Sequence, residues 1–239
     1  MTGSNHNIHI HIGTDNVFED AFERIANLKT TEPIPQKVNF VPNEMYQKHF
    51  RGAVDSGHGF VSNEALEIMG LDSGNLILSR PRFLYTGVPL NTEAGVVKTL
   101  YKLDSIQSAL AEFKLVFHLC VTDHLTYLFD AKKRDVSLIP DSFVSWQPLV
   151  EKVNGRLLPG NELAVHDAEN PSSLYEELTG EILGFSKSEA AALCARHSLG
   201  TQRNVSQKIS EERAIAAGWS VDQLDDCYEK DVWAMFGQN

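Results

Sequence analysis

The stretch Asn7 to Gly13, NIHIHIG, alternates Ile8, Ile10 and Ile12 with His9 and His11. A period of two puts the isoleucines on one face of a strand and the histidines on the other, and Gly13 supplies the turn that ends it. Beyond the glycine, Phe18, Phe22, Ile25 and Leu28 recur at helical spacing, and Thr14, Asp15 or Asn16 can cap the first turn. Strand, glycine and helix in this order make the first half of a βαβ unit, so the expected sheet is parallel.

The rest of the chain extends that pattern. Pro33, Pro35 and Pro42 break it, and a mixed region through Gly70 holds short helices around Glu44 to Arg51 and Asn63 to Met69. Asn75 to Ser79 (NLILS), Phe113 to Val121 (FKLVFHLCV) and Glu162 to His166 (ELAVH) are apolar runs fit for buried parallel strands. A polar, helical connection of crossover length separates the first two of these. Helices are expected at Asp123 to Lys132 and Phe143 to Asn154. Another opens at Asn170 and Pro171 and runs to Gly184, where a glycine can take the left-handed position. Ser186-x-x-Glu189 and Ser220-x-x-Gln223 match the capping box and start two more. The expectation is one α/β domain over residues 1–239, a parallel sheet flanked by helices on both faces, with a helical C-terminal end.

Composition narrows the function classes. Of 239 residues, 42% are hydrophobic, which excludes a disordered tail and a disulfide scaffold. Lys plus Arg number 21 against 32 Asp plus Glu, a net charge of −11 that opposes binding to nucleic acid or to an anionic membrane. Cys120, Cys194 and Cys227 form no C-x-x-C pair and suit a reducing compartment as buried small hydrophobes. The opening MTGSNHNIHIHIG has neither a basic region nor a long apolar one, and no stretch approaches a membrane span. A soluble cytoplasmic protein is expected, with an unidentified protein or small molecule as partner.

Ligands of an open parallel sheet bind beyond the carboxyl ends of its strands, so the loop Gly13 to Asp20 is the first place to seek chemistry. A phosphate cradle there needs glycines, a cation and a hydroxyl. This loop has one glycine and no cation, and it carries Asp15, Glu19 and Asp20. Those carboxylates suit the dipole of a capped helix start and occupy the field an anion would use. Near the other strand ends, His11, Ser79, Arg80, Arg82, Asp123 and Asp167 are candidates to line a pocket; Arg80 and Arg82 directly follow a strand and could bind an anion. His9 and His11 form an H-x-H of the kind that opens the ligand set of some metal-dependent hydrolases, with His124 and His166 at other strand ends and His118 inside a strand. Histidines on a half-buried strand face are more often packed or hydrogen-bonded, so no metal is expected. No G-x-S-x-G elbow, glycine-rich nucleotide fingerprint or activated cysteine is present, and no catalytic residue is assigned.

Taken in order, several segments resemble bacterial sulfotransferase-like proteins of the P-loop type. HIHIGT (His9 to Thr14) is similar to that family's first strand, which typically continues as HIGxHKTGTT. NLILSRPRFL (Asn75 to Leu84) looks like its next strand, and FHLCVTDHLTYLFDA (Phe117 to Ala131) looks like the strand and helix of its second phosphate contact. WQPLVEKVNGRLLPGNELAVHDAENPSSLYEELTGEILG (Trp146 to Gly184) looks like the later helix, strand and helix, and Gly218 to Phe236 like the closing helix. The resemblance implies a P-loop NTPase or sulfotransferase-like fold, with phosphoadenosine phosphosulfate as the family's donor. It also implies donor-site positions at Gly13, Thr14, Asn16, Glu19, Asp20, Cys120 and Leu128. Here they are degenerate: Asn16 stands where the base belongs, Phe18 where a glycine belongs, and Glu19 and Asp20 replace the hydroxyl pair. Cys120 or Val121 falls on the expected arginine, and Leu128 on the expected serine. Each lost charged contact to phosphate removes about 1.5–3 kcal/mol. The expectation is a noncatalytic binding or partner protein that needs no cofactor. The alternatives are an active sulfotransferase with a divergent donor loop, and a metal-dependent hydrolase using His9 and His11.

Overall fold

The computed structural model describes residues 6–12, 19–28, 31–52, 61–79, 93–121, 146–168 and 170–200, with isolated positions at 215, 218, 220 and 222. Among these, the strands are β1 (Asn7–His11), β2 (Val38–Phe40), β3 (Asn75–Ser79), β4 (Lys114–Val121) and β5 (Glu162–Asp167). The helices are α1 (Glu19–Asn27), α2 (Asn43–His49), α3 (Asn63–Ile68), α4 (Glu93–Ala109), α5 (Trp146–Asn154), α6 (Pro171–Leu183) and α7 (Lys187–Arg196). The strands form one sheet in the order β2-β3-β1-β4-β5, and every pairing is parallel. This is the α/β arrangement expected from the strand, glycine and helix at the start of the chain.

Alternation along the strands divides the core in two. Ile8, Ile10 and Ile12 join Leu76, Leu78, Leu115, Phe117, Leu119 and Val121 on one face, covered by residues of α2 to α5 such as Tyr46, Leu66, Leu103 and Trp146. Each isoleucine is at most 1% exposed, and its burial is worth about 1.5–3 kcal/mol. The opposite face carries Ile77 and Cys120 beneath Phe22 and Ile25 of α1, Leu174, Leu178 and Ile182 of α6, and Leu193 and Cys194 of α7. Helices therefore flank both faces.

Sequence signals fix the ends of α6 and α7. The Asn170 side chain accepts from the Ser173 N–H at 3.2 Å, Pro171 occupies the first turn, and Gly184 closes α6 at φ 79°. A Cβ there would lie 2.9 Å from the Gln36 side chain, so glycine is needed for both conformation and space. Ser186 and Glu189 complete the capping box of α7. Strand β2 was not expected. It is a three-residue edge strand bracketed by Pro35 and Pro42, and its Asn39 lies opposite Leu76. Prolines read as chain breaks are tolerated at a sheet edge, and three residues are too few to display a period of two. The expected helices at Asp123 to Lys132 and from Ser220 lie outside the described residues, as does Cys227. Among the described residues no helix is long and apolar enough to cross a membrane.

Candidate functional site

Strand register builds the site. His11 of β1 lies opposite Ser79 of β3 on one side and His118 of β4 on the other, and Cys120 of β4 lies opposite His166 of β5. Alternation sends all of these side chains, with His9, to the face covered by α1 and α6. His9, His11, His118 and His166 are each at most 2% exposed, so this face is fully buried and not half-buried as the sequence indicates. The cause is α1, whose Phe22 ring stacks on His11 with centroids 4.4 Å apart and meets His118 edge-on at 5.6 Å. From α6, Glu177 and Glu181 stand one turn apart and reach the same row.

The polar atoms form a continuous chain. His9 Nδ1 lies 2.9 Å from His118 Nε2, His118 Nδ1 lies 3.0 Å from His166 Nε2, and His166 Nδ1 lies 3.1 Å from Glu177 Oε2. Ser173 Oγ donates to the other Glu177 oxygen at 3.0 Å. A carboxylate only accepts, so proton positions follow from Glu177 outward. With one proton on each ring, His166 donates from Nδ1 and accepts at Nε2, His118 donates from Nδ1 and accepts at Nε2, and His9 donates from Nδ1. The row then ends at His9 Nε2 as a bare lone pair, and that atom has no hydrogen-bond partner among the described residues. His11 Nδ1 pairs with Ser79 Oγ at 3.0 Å, and its Nε2 is likewise unpartnered among the described residues.

Burial governs the charge states. Desolvation lowers His9 to about 4 and His11 to about 3, with Lys114 adding to the first and His166 to the second. Glu162 acts in the opposite sense on His9. His118 is held well below the ordinary histidine range by burial and then by the neighbouring imidazoles. The hydrogen bond from His166 lowers Glu177, whereas burial raises Glu181. Burial, with Glu177 and Glu181 nearby, pushes the Cys120 thiol far up, so this sulfur is no nucleophile near neutral pH.

Several of the residues singled out in the sequence meet here. His11 and Ser79 are hydrogen-bonded and Cys120 packs in the α1/α6 layer, whereas Asp167 ends β5 opposite Val121, on the other face of the sheet. Glu19 and Asp20 form the first turn of α1. Gly13, Thr14, Asn16, Arg80, Arg82, Asp123 and Leu128 lie outside the described residues. Glu177 and Glu181 were not singled out from the sequence. Their i, i+4 spacing on a helix was visible, but nothing in the sequence placed that helix against His118 and His166.

The fold and site together define an α/β protein with an all-parallel sheet and a buried row of imidazoles anchored on a carboxylate. No family model, curated protein or solved structure matches the chain.

Proposed function

We propose that this chain is a noncatalytic binding protein on a sulfotransferase-like sheet, one that no longer takes phosphoadenosine phosphosulfate. The observation that carries the reading is the charge of the segment leaving the central strand. Strand order reverses between β1 and β4, and in such sheets the ligand crevice opens at that reversal. The segment that follows β1 in sequence, Gly13 to Asp20, contains Asp15, Glu19 and Asp20, and no Lys or Arg occurs before Arg24. A helix start offers an anion roughly half a positive charge, which three full negative charges outweigh. A multiply anionic donor meets repulsion there in place of a lysine and hydroxyl contacts. Arg80 and Arg82, which follow β3 in sequence, are the cations that an active donor site would have to recruit to offset this.

Thermal unfolding in the presence of ligand tests the proposal. A ligand that binds only the native state raises the melting temperature by mass action. Neither phosphoadenosine phosphosulfate nor adenosine 3′,5′-bisphosphate at low millimolar concentration should shift the transition. A concentration-dependent rise would favour an active transferase with a divergent loop.

A further inference from the structure

We propose that His118, His166 and Glu181 form a binding site for a divalent transition-metal ion of the zinc type. Among the described residues, these three bring one ligand atom each within 4.8 Å of one another. The atoms are His118 Nδ1, His166 Nε2 and Glu181 Oε2, with separations of 3.0, 3.5 and 3.8 Å. The nearest point equidistant from the three atoms lies in their plane, about 2.0 Å from each, the length of a zinc–nitrogen or zinc–carboxylate bond; four-coordinate geometry needs the two separations to Glu181 to shorten by about 0.2–0.5 Å, which its half-exposed side chain allows. Two imidazoles and a carboxylate are a recurrent donor set for zinc with an open position for water. Glu181 provides that opening, because its side chain is 45% exposed while both rings are buried.

The surroundings supply a second, independent observation. A ligating imidazole normally engages its other nitrogen with a carboxylate or similar group, which fixes the ring and raises its basicity. His166 does this through Nδ1 to Glu177, whose second oxygen is held by Ser173, and His118 does it through Nε2 to His9. Both rings are buried, so the ion would be shielded from bulk water on that side. His9 and His11, the pair the sequence offers as ligands, are absent from the trio. His9 supports it through His118, and His11 is engaged by Ser79 and Phe22.

Proton bookkeeping gives the site a signature. Without metal, His118 carries its proton on Nδ1, facing His166. A metal on Nδ1 requires that proton on Nε2, where it is donated to His9 Nδ1, and the proton of His9 then moves to Nε2. His166 already presents a bare Nε2 and keeps its tautomer. Binding therefore exchanges the tautomers of His118 and His9 without a net gain or loss of protons by the row.

The test is zinc titration of chelator-treated full-length protein against a chromophoric competitor, with cobalt as a spectroscopic probe and ring ¹⁵N shifts as a tautomer readout. One ion per chain is expected, with the visible absorption of four-coordinate cobalt and transfer of the His9 proton from Nδ1 to Nε2. Glu181→Gln, an isosteric change at a half-exposed side chain, should keep the metal-free melting curve and weaken zinc by more than about 100-fold, whereas Glu177→Gln should weaken it by about 10–100-fold. His6→Ala should change nothing. Failure to bind one equivalent at micromolar zinc, or equal affinity in Glu181→Gln, would overturn the site. The trio is supplied by β4, β5 and α6, so these outcomes leave the donor-loop reading untouched.

Discussion

Lowering the pH from 8 to 5 in the presence of chelator should cost the fold about 4 kcal/mol through two histidines alone. His9 and His11 titrate near 6.5 when unfolded but at about 4 and about 3 in the native state. Between those values the unfolded chain binds more protons than the folded one, so stability is complete above 6.5 and falls as pH drops. At pH 5 each native ring is still neutral while each unfolded ring is almost fully protonated, which is worth about 2 kcal/mol per ring. His118 shifts in the same direction and adds to the loss. Glu181, raised by burial, works against it over its own range, and Glu177, lowered by His166, adds to the loss only at more acid pH. A few kcal/mol is a large share of the usual 5–15 kcal/mol of a domain. Urea denaturation at half-unit pH intervals should show a slope approaching about 2.7 kcal/mol per pH unit between pH 6 and 5 with a constant m-value. His11→Asn should remove about 1.4 kcal/mol per unit of that slope. A stability that is flat from pH 7 to 5, or a slope unchanged in His11→Asn, would refute the burial of neutral imidazoles in this layer.

Other expected outcomes concern packing and caps. Phe22→Ala empties the space over His11 and His118 and should cost about 3–5 kcal/mol by urea denaturation. Gly74→Ala should destabilise by about 1–3 kcal/mol, because the added Cβ overlaps the Lys37 carbonyl where β2 joins β3, and the same measurement reads it. Asn170→Ala removes the acceptor for the Ser173 N–H and should cost about 1 kcal/mol, with Asn170→Asp retaining most of the stability.

The sheet was legible because its strands announce themselves locally: Ile8, Ile10 and Ile12 alternate, and the apolar runs starting near Asn75, Phe113 and Glu162 are long enough to read. The caps at Asn170 and Ser186 were legible for the same reason, since each side chain bonds a backbone group three residues away. Strand β2 was hidden by its length and by its prolines. The histidine row was half visible. The sequence put His9 and His11 on one face, but joining His9 to His118 and His118 to His166 depends on the registers of β1 with β4 and β4 with β5, which are long-range. Glu177 and Glu181 enter through the docking of α6 on β5, and no local pattern encodes it.

The proposal that the segment following β1 takes no anionic donor is checked by calorimetric titration with phosphoadenosine phosphosulfate and adenosine 3′,5′-bisphosphate. No saturable heat is expected from either ligand at low millimolar concentration. Micromolar binding that disappears in the Arg80→Ala, Arg82→Ala double variant would contradict it and show that cations after β3 have taken over the role of the missing lysine.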